Sequence, residues 1–316
     1  MALALLPVQE LWDRILDHLH DSTPALNAVA LANSAFTRHA QSLLFETVVV
    51  PAEPLACDFY VEECEYEIEG YLARVQRLTG GLLACPDAFL LSRIRVLDIH
   101  SSSAAILHLL AGVPFTHVDT LRLLGVPQAP DVVEDLAALV AIPSLEEVEM
   151  RFMPGFGYRF SDVQLRTVFG ALAPGVRVLK LSSCHPYRFL PPSSRTQQTR
   201  AHLRPQLRKL ELTHSAWLFP LLFNDAPFDF SRLESISLTN SWGDGVDEFL
   251  LLAGENAEEL YVDELDKMVA LTAIEMLPCL ERLVCSNIDD GEVVTAILAG
   301  RGITLETNAP SKRYLY

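Results

Sequence analysis

The sequence of 316 residues has few cysteines and few basic side chains. Its six cysteines (Cys57, Cys64, Cys85, Cys184, Cys279, Cys285) are scattered, and no two form a C-x-x-C pair. Neither a zinc knuckle nor a dithiol redox motif is therefore indicated. None of the seven asparagines opens an N-x-S/T acceptor for glycosylation. Both absences suit a reducing compartment, so the expected location is cytoplasm, nucleus or both. Lys and Arg number 24 against 41 Asp and Glu, a formal charge of −17. That balance argues against a general nucleic-acid coat and a polybasic membrane binder, and neither nucleic acid nor membrane is expected as a partner. The most apolar stretches, such as 104–115, fall well short of the ~20 residues a spanning helix needs. The opening MALALLP has no basic leader and no full apolar core, so a secretory signal is not expected.

Catalytic signatures are missing too. G-x-S-x-G, H-E-x-x-H and the Gly-rich nucleotide loops do not occur. The Gly-x-Gly in MPGFGYRF at 153–160 lacks the third Gly and the following Lys-Ser/Thr, and is read as a turn between repeats. His18 and His20 stand two apart, and on a helix that separation points them about 200° from each other, so they do not converge on a metal. Acidic pairs such as Glu146-Glu147 and Glu258-Glu259 are adjacent in sequence. On a strand they face opposite sides, which is wrong for acid–base work. No catalytic residue, metal or cofactor is expected, and the chain is read as a non-enzyme.

What the sequence does contain is a repeat. Half of the residues are hydrophobic and 21% are charged, in a chain long enough to bury about three quarters of its unfolded surface. One hexamer, apolar-x-x-apolar-x-apolar, occurs eight times. The copies are IRVLDI at 94–99, VDTLRL at 118–123, LEEVEM at 145–150, VRVLKL at 176–181, LRKLEL at 207–212, LESISL at 233–238, AEELYV at 257–262 and LERLVC at 280–285. The spacing between their central apolar residues runs from 23 to 31. The last two apolar positions are two apart, which places both on one face of a short strand. Between the hexamers lie segments of helical periodicity, several opened by a capping residue: Asp131, Ser161, Asp247 and Asp290. Units that small cannot bury their own apolar faces, so they stack, with parallel strands on one side and helices on the other. The pattern resembles the leucine-rich repeat family over roughly 91–306, although the usual Asn after the strand is present only near Asn240 and Asn287. The expected fold class is α/β, an irregular solenoid of about eight repeats over 91–316.

The amino-terminal 50 residues read differently. Pro7 precedes a helical stripe of Leu11, Trp12, Ile15, Leu16 and Leu19; a second helix carries Leu26, Val29 and Leu31; a third, from about Ser34 to Leu44, carries Phe36, Leu43 and Leu44. Three short helices with this much apolar surface must pack on something beyond themselves. The Leu6-Pro7 opening, the run Glu10-Leu11-Trp12-Asp13-Arg14-Ile15, Leu19, the apolar run 28–31, Phe36 and the closing 43–48 resemble the F-box, in the form common in repeat proteins of mushroom-forming (basidiomycete) fungi. One residue more than usual separates Pro7 from Glu10, and Phe36 stands where Trp is usual. The resemblance implies an adaptor of a Skp-cullin-F-box ubiquitin ligase, acting in ubiquitin-dependent protein degradation. Leu6, Pro7, Leu11, Ile15, Leu19, Leu31 and Phe36 would face a Skp-type linker, and through it a cullin, while the repeats hold a protein substrate. The other reading is a leucine-rich binding module with no ligase connection, its first helices only capping the solenoid.

Charge is distributed unevenly. Stretch 51–73 has seven acidic residues and no Lys or Arg; it suits a solvated connector as well as a surface for a basic partner. Together with the first helix of the array it forms a linking segment over 51–90. Stretch 163–210 has nine basic residues and no acidic one. Its loop at 185–206, with Arg195, Arg200 and Arg204, fits either a soluble insertion or a site for an acidic or phosphorylated substrate. The strand positions alternating with the core define an open, concave face. From it Arg122, Glu149, Lys180, Lys209, Glu211 and Tyr261 join those arginines as substrate-binding candidates.

Overall fold

Apolar residues two apart commit each hexamer to a strand with one dry face, and equal frames commit successive strands to one register. A computed structural model describes residues 16–19, 22–32, 34–52, 61–84, 89–127, 129–153, 160–183, 204–219, 221, 227–242 and 245–307. Ten strands form one parallel sheet whose spatial order follows the chain from first to last. They are β1 (Thr47–Val50), β2 (Val96–Ile99), β3 (Thr120–Val126), β4 (Glu147–Phe152), β5 (Val178–Ser183), β6 (Lys209–Thr213), β7 (Ser235–Thr239), β8 (Glu259–Leu265), β9 (Arg282–Ile288) and β10 (Thr304–Thr307). The central hexamer residues are one another's register partners: Leu97, Leu121, Val148, Leu179, Leu210, Ile236, Leu260 and Leu283 form a continuous row. All eight are fully buried. At ~1.5–3 kcal/mol per buried aliphatic side chain, such rows are a principal drive for stacking.

From the third onward, the helices cover this dry face. Among the described residues the helices are α1 (Thr23–Ala32), α2 (Ser34–Leu44), α3 (Val61–Ala84), α4 (Ala104–Ala111), α5 (Val133–Val140), α6 (Asp162–Gly170), α7 (Val246–Ala253), α8 (Lys267–Met276) and α9 (Gly291–Ala299). Each covering helix contributes one stripe to the core, for example Val246, Phe249, Leu250 and Ala253 of α7. From α3, Tyr71, Val75 and Leu82 enter the same core, and the Tyr71 hydroxyl donates to the Pro51 carbonyl at 2.5 Å. Between β6 and β7 a 3-10 turn, Ala216–Leu218, runs into helical backbone at Phe219 and Leu221, and aromatic side chains fill the layer there. Phe219 stacks on Phe249 at 5.2 Å between centroids, and Phe230 meets Phe249 edge-on at 5.9 Å.

Helix starts follow the caps in part. Ser161 caps α6 with a full capping box, its hydroxyl accepting from the Gln164 N–H while Gln164 accepts from the Ser161 N–H. Asp131 does not cap α5: Pro130 starts a 3-10 turn that runs into the helix at Val133. Asp247 does not cap α7 either, because Gly245, at φ 86°, starts the helix and leaves Asp247 in the first turn. Asp290 is the residue before α9 but makes no side-chain cap bond. Asp266, not foreseen, caps α8 by accepting from the Val269 N–H at 2.8 Å.

Candidate protein-binding surface

The face of the sheet opposite the helices is built by alternation. In β4, β5, β6 and β7 the residues flanking the buried ones are half-exposed, so each strand offers every second side chain to the open face. Register then lines them into rows. One row runs Asp98, Arg122, Glu149, Lys180, Glu211, Ser237, Tyr261 across β2 to β8. A second runs Glu147, Val178, Lys209, Ser235, Glu259, Arg282 across β4 to β9. Charges alternate in sign along the first row, which puts opposite charges on neighbouring strands about 4.8 Å apart.

The ion pairs close along this row, diagonally between the two rows and within a strand. Lys180 Nζ is 2.8 Å from Glu147 Oε1, Lys209 Nζ is 2.8 Å from Glu211 Oε1, and Arg122 Nε is 3.9 Å from Glu149 Oε2. Burial works to lower the Lys180 pKa, but the Glu147 hydrogen bond and the charges of Glu211, Glu147 and Glu149 outweigh it and raise the value. The ammonium is thus held charged within a carboxylate triangle. Tyr261 and Ser286 hydroxyls lie 2.8 Å apart. Arg282 reaches Glu259 on one side and Glu306 on the other, at 2.6 Å each.

Six of the proposed substrate residues, Arg122, Glu149, Lys180, Lys209, Glu211 and Tyr261, therefore share one face. Arg204 is exposed at the approach to β6, and Arg195 and Arg200 lie outside the described residues. Glu147, Glu259 and Arg282, which alternation also assigns to the open face though not among the substrate candidates, and Ser286, which sequence reasoning missed, belong to the same surface; their cross-strand partners were not visible in the sequence. The face is polar, with ion pairs already formed and hydroxyls among them. Among the described residues no group of three His, Cys, Asp or Glu is placed to hold a metal, and no helix is long and apolar enough to cross a membrane. Cys285 is buried and Cys279 exposed; both are free thiols, and burial pushes the Cys285 thiol pKa up.

A second surface lies at the amino-terminal helices. Leu16, Leu26 and Ala40 form a small core, with Leu19, Val29, Ala30, Leu43 and Leu44 packed around it; none of these belongs to the main core. Asp17 pairs with His39 at 3.0 Å across this cluster, and His18 is exposed. Of the proposed linker-facing residues, Leu19 is half-buried against the small core, whereas Leu31 is 89% exposed. Leu6, Pro7, Leu11 and Ile15 lie outside the described residues. The backbone of Phe36 belongs to α2, and its side chain is outside the description.

No family model matches the chain, and no curated protein matches it. The crystal structure of a structural-genomics target protein from Bacteroides fragilis is similar over 81% of this chain and 86% of its own, at 11% identity and a TM-score of 0.35. A similarity at that level carries no argument about function.

Proposed function

We propose that the chain is the substrate-recognition adaptor of a Skp-cullin-F-box ubiquitin ligase, its first helices docking a Skp-type linker and its leucine-rich repeats presenting the open face to a protein substrate. The observation that carries this reading is Leu31. It is 89% exposed on α1, while Leu26 of the same helix is buried in a cluster separate from the main core. A helical unit with a core separate from that of the repeats is compatible with a docking module, and Leu31 is the apolar side chain it leaves in solvent. No bond chemistry is assigned to the chain. It acts by raising the concentration of substrate lysines near an active site carried by other subunits.

A second reading keeps the repeats as a binding module and makes the helices a cap alone. Its support is Phe45, which packs on the main core just before β1, whose Val48 and Val50 are part of that core. Co-purification of the full chain with a Skp-type linker separates the two. The adaptor reading expects a stable complex that Leu31→Asp weakens roughly tenfold or more while circular dichroism and thermal midpoint stay unchanged. If the native chain forms no complex, the adaptor reading fails and the binding module stands.

A further inference from the structure

Exposed apolar side chains are concentrated at one end of the helix layer. Of the ten large hydrophobic residues exposed among the described ones, five are Leu251 and Leu252 on α7, Met268 and Leu271 on α8, and Val293 on α9. Leu251 at 70% and Met268 at 68% exceed every other but Leu31. By contrast, α4 and α5 have none. On α8 the buried side is Val269, Ala270 and Ala273, so Met268 and Leu271, three apart, form an outward stripe that Glu275 continues one turn later. On α7 the buried residues leave Glu248 and Leu251 outward in the same way. The three helices pack side by side, α7 on α8 and α8 on α9, which yields shallow grooves about 8–10 Å apart.

The rim of this patch is acidic. Asp247, Glu248, Glu264, Glu275, Asp289 and Glu292 are all exposed, and Lys267 is the one cation on α7, α8 and α9. Two further cations flank these helices in sequence: Arg301, exposed two residues after α9, and Arg282, which is engaged by Glu259 and Glu306. First-turn carboxylates such as Glu248 and Glu292 favour their own helices. Glu275 does not: it stands in the last turn of α8, where a carboxylate opposes the helix dipole.

We infer that the outer face of α7, α8 and α9 docks a basic amphipathic helix of another protein, with Leu- or Met-type anchors seated on Leu251, Met268 and Leu271 and Lys or Arg paired with the acidic rim. A second copy on a twofold axis would set this acidic rim against itself, and an anionic membrane surface carries the same sign as the rim. The inference does not depend on the adaptor reading, because it involves no residue of α1 or α2.

The test is fluorescence polarisation of the full chain with a labelled helical Leu/Lys peptide. Saturable binding is expected, weakened roughly tenfold or more by the combined exposed-residue variant Leu251→Ser/Met268→Ser/Leu271→Ser and also by Glu248→Lys/Glu275→Lys, and unchanged by Val163→Ser, an exposed apolar position on α6. Circular dichroism of each variant confirms the fold. Equal binding of a peptide with Ser at the Leu positions would reduce the interaction to bulk charge and overturn the proposal, as would indifference to both sets of variants. Self-association of the chain, lost in the triple Ser variant and seen without peptide binding, would assign the face to a second copy and overturn it equally.

Discussion

The hydroxyl of Ser241 accepts the backbone N–H of Ser215, one repeat earlier, at 2.9 Å, and both residues are fully buried. The chain leaves β6 and β7 through residues in the left-handed region, His214 at φ 51° and Asn240 at φ 48°. The turn at His214 swings the next N–H, that of Ser215, out of the strand ladder and into the interior. The buried Ser241 hydroxyl of the following repeat satisfies it; Ser241 Oγ also lies 3.0 Å from the Leu212 carbonyl. Serine thus supplies at this place the bond that the sparse asparagines do not.

Ser241→Ala orphans the Ser215 N–H and is expected to cost ~1–3 kcal/mol. Ser215→Ala removes a hydroxyl that donates to the Thr213 carbonyl at 2.8 Å but leaves its own N–H bonded, so its cost is smaller. Chemical denaturation of the two variants should rank them in that order; equal losses would mean the inter-repeat bond contributes little.

Gly254 closes α7 where the chain passes under the next repeat. A Cβ built there collides with the Leu250 carbonyl and with Leu277 Cδ2. Its φ of −89° is open to any residue, so what demands glycine is space, not conformation. Since a backbone oxygen is among the obstacles, Gly254→Ala forces the end of α7 to move, at ~1–3 kcal/mol. Gly170, with nothing within 4 Å of its added Cβ, is the matched control: Gly170→Ala should leave the denaturation midpoint unchanged or raise it.

Why some of this was legible in the sequence and some was not follows from the range of the forces involved. Leu97 and Ile99, or Leu210 and Leu212, declare a strand because period two is a local signal, and equal frames then determine the register. The edge strand β10 escaped because it offers only Leu305, half-buried, and needs only one neighbour. The start of α6 was readable because its capping box closes within four residues, from Ser161 to Gln164. The start of α7 was not, since Gly245 sets it through a backbone angle. On the open face, alternation identified Arg122, Glu149, Lys180 and Tyr261 as neighbours in space. The pairing of Lys180 with Glu147, 33 residues away, depends on how two side chains lean across the ladder, which no local pattern encodes.

Arg282 clamps the last strand. Its guanidinium donates to Glu259 on β8 and Glu306 on β10, at 2.6 Å each, and these two bonds span three strands. The group is open to solvent, so the effect on global stability is expected to be small and weakened by salt. The local effect is larger, because β10 pairs with β9 alone and has half-exposed side chains to hold it. In Arg282→Met, amide hydrogen exchange over Thr304–Thr307 should quicken while β3 to β7 keep wild-type protection. Uniform protection across the sheet would show that backbone pairing alone secures β10.

Two aspartates should tilt the pH dependence in opposite directions. Asp229 accepts from the Ser231 N–H at 2.9 Å and from Gln206 Nε2 at 3.0 Å, and the Ser231 bond above all holds its carboxyl below the ordinary value of 3.8. The folded state then favours the ionised form, so the stability Asp229 contributes is present above 3.8 and lost as pH falls through the depressed folded value. Asp263 behaves in reverse. Burial raises its carboxyl above 3.8, against the opposing pull of the Asn240 N–H and the charge of His214. Between 3.8 and that raised value the folded state binds more protons than the unfolded, and stability falls as pH rises. Asp229→Asn should therefore be less stable than wild type at neutral pH and converge with it in acid. Asp263→Asn, which keeps an acceptor for the Asn240 N–H, should gain on wild type at neutral pH and lose that gain in acid. Urea denaturation across that range measures both differences, and a pair of slopes with the same sign would refute the assignment of burial to one carboxylate and hydrogen bonding to the other.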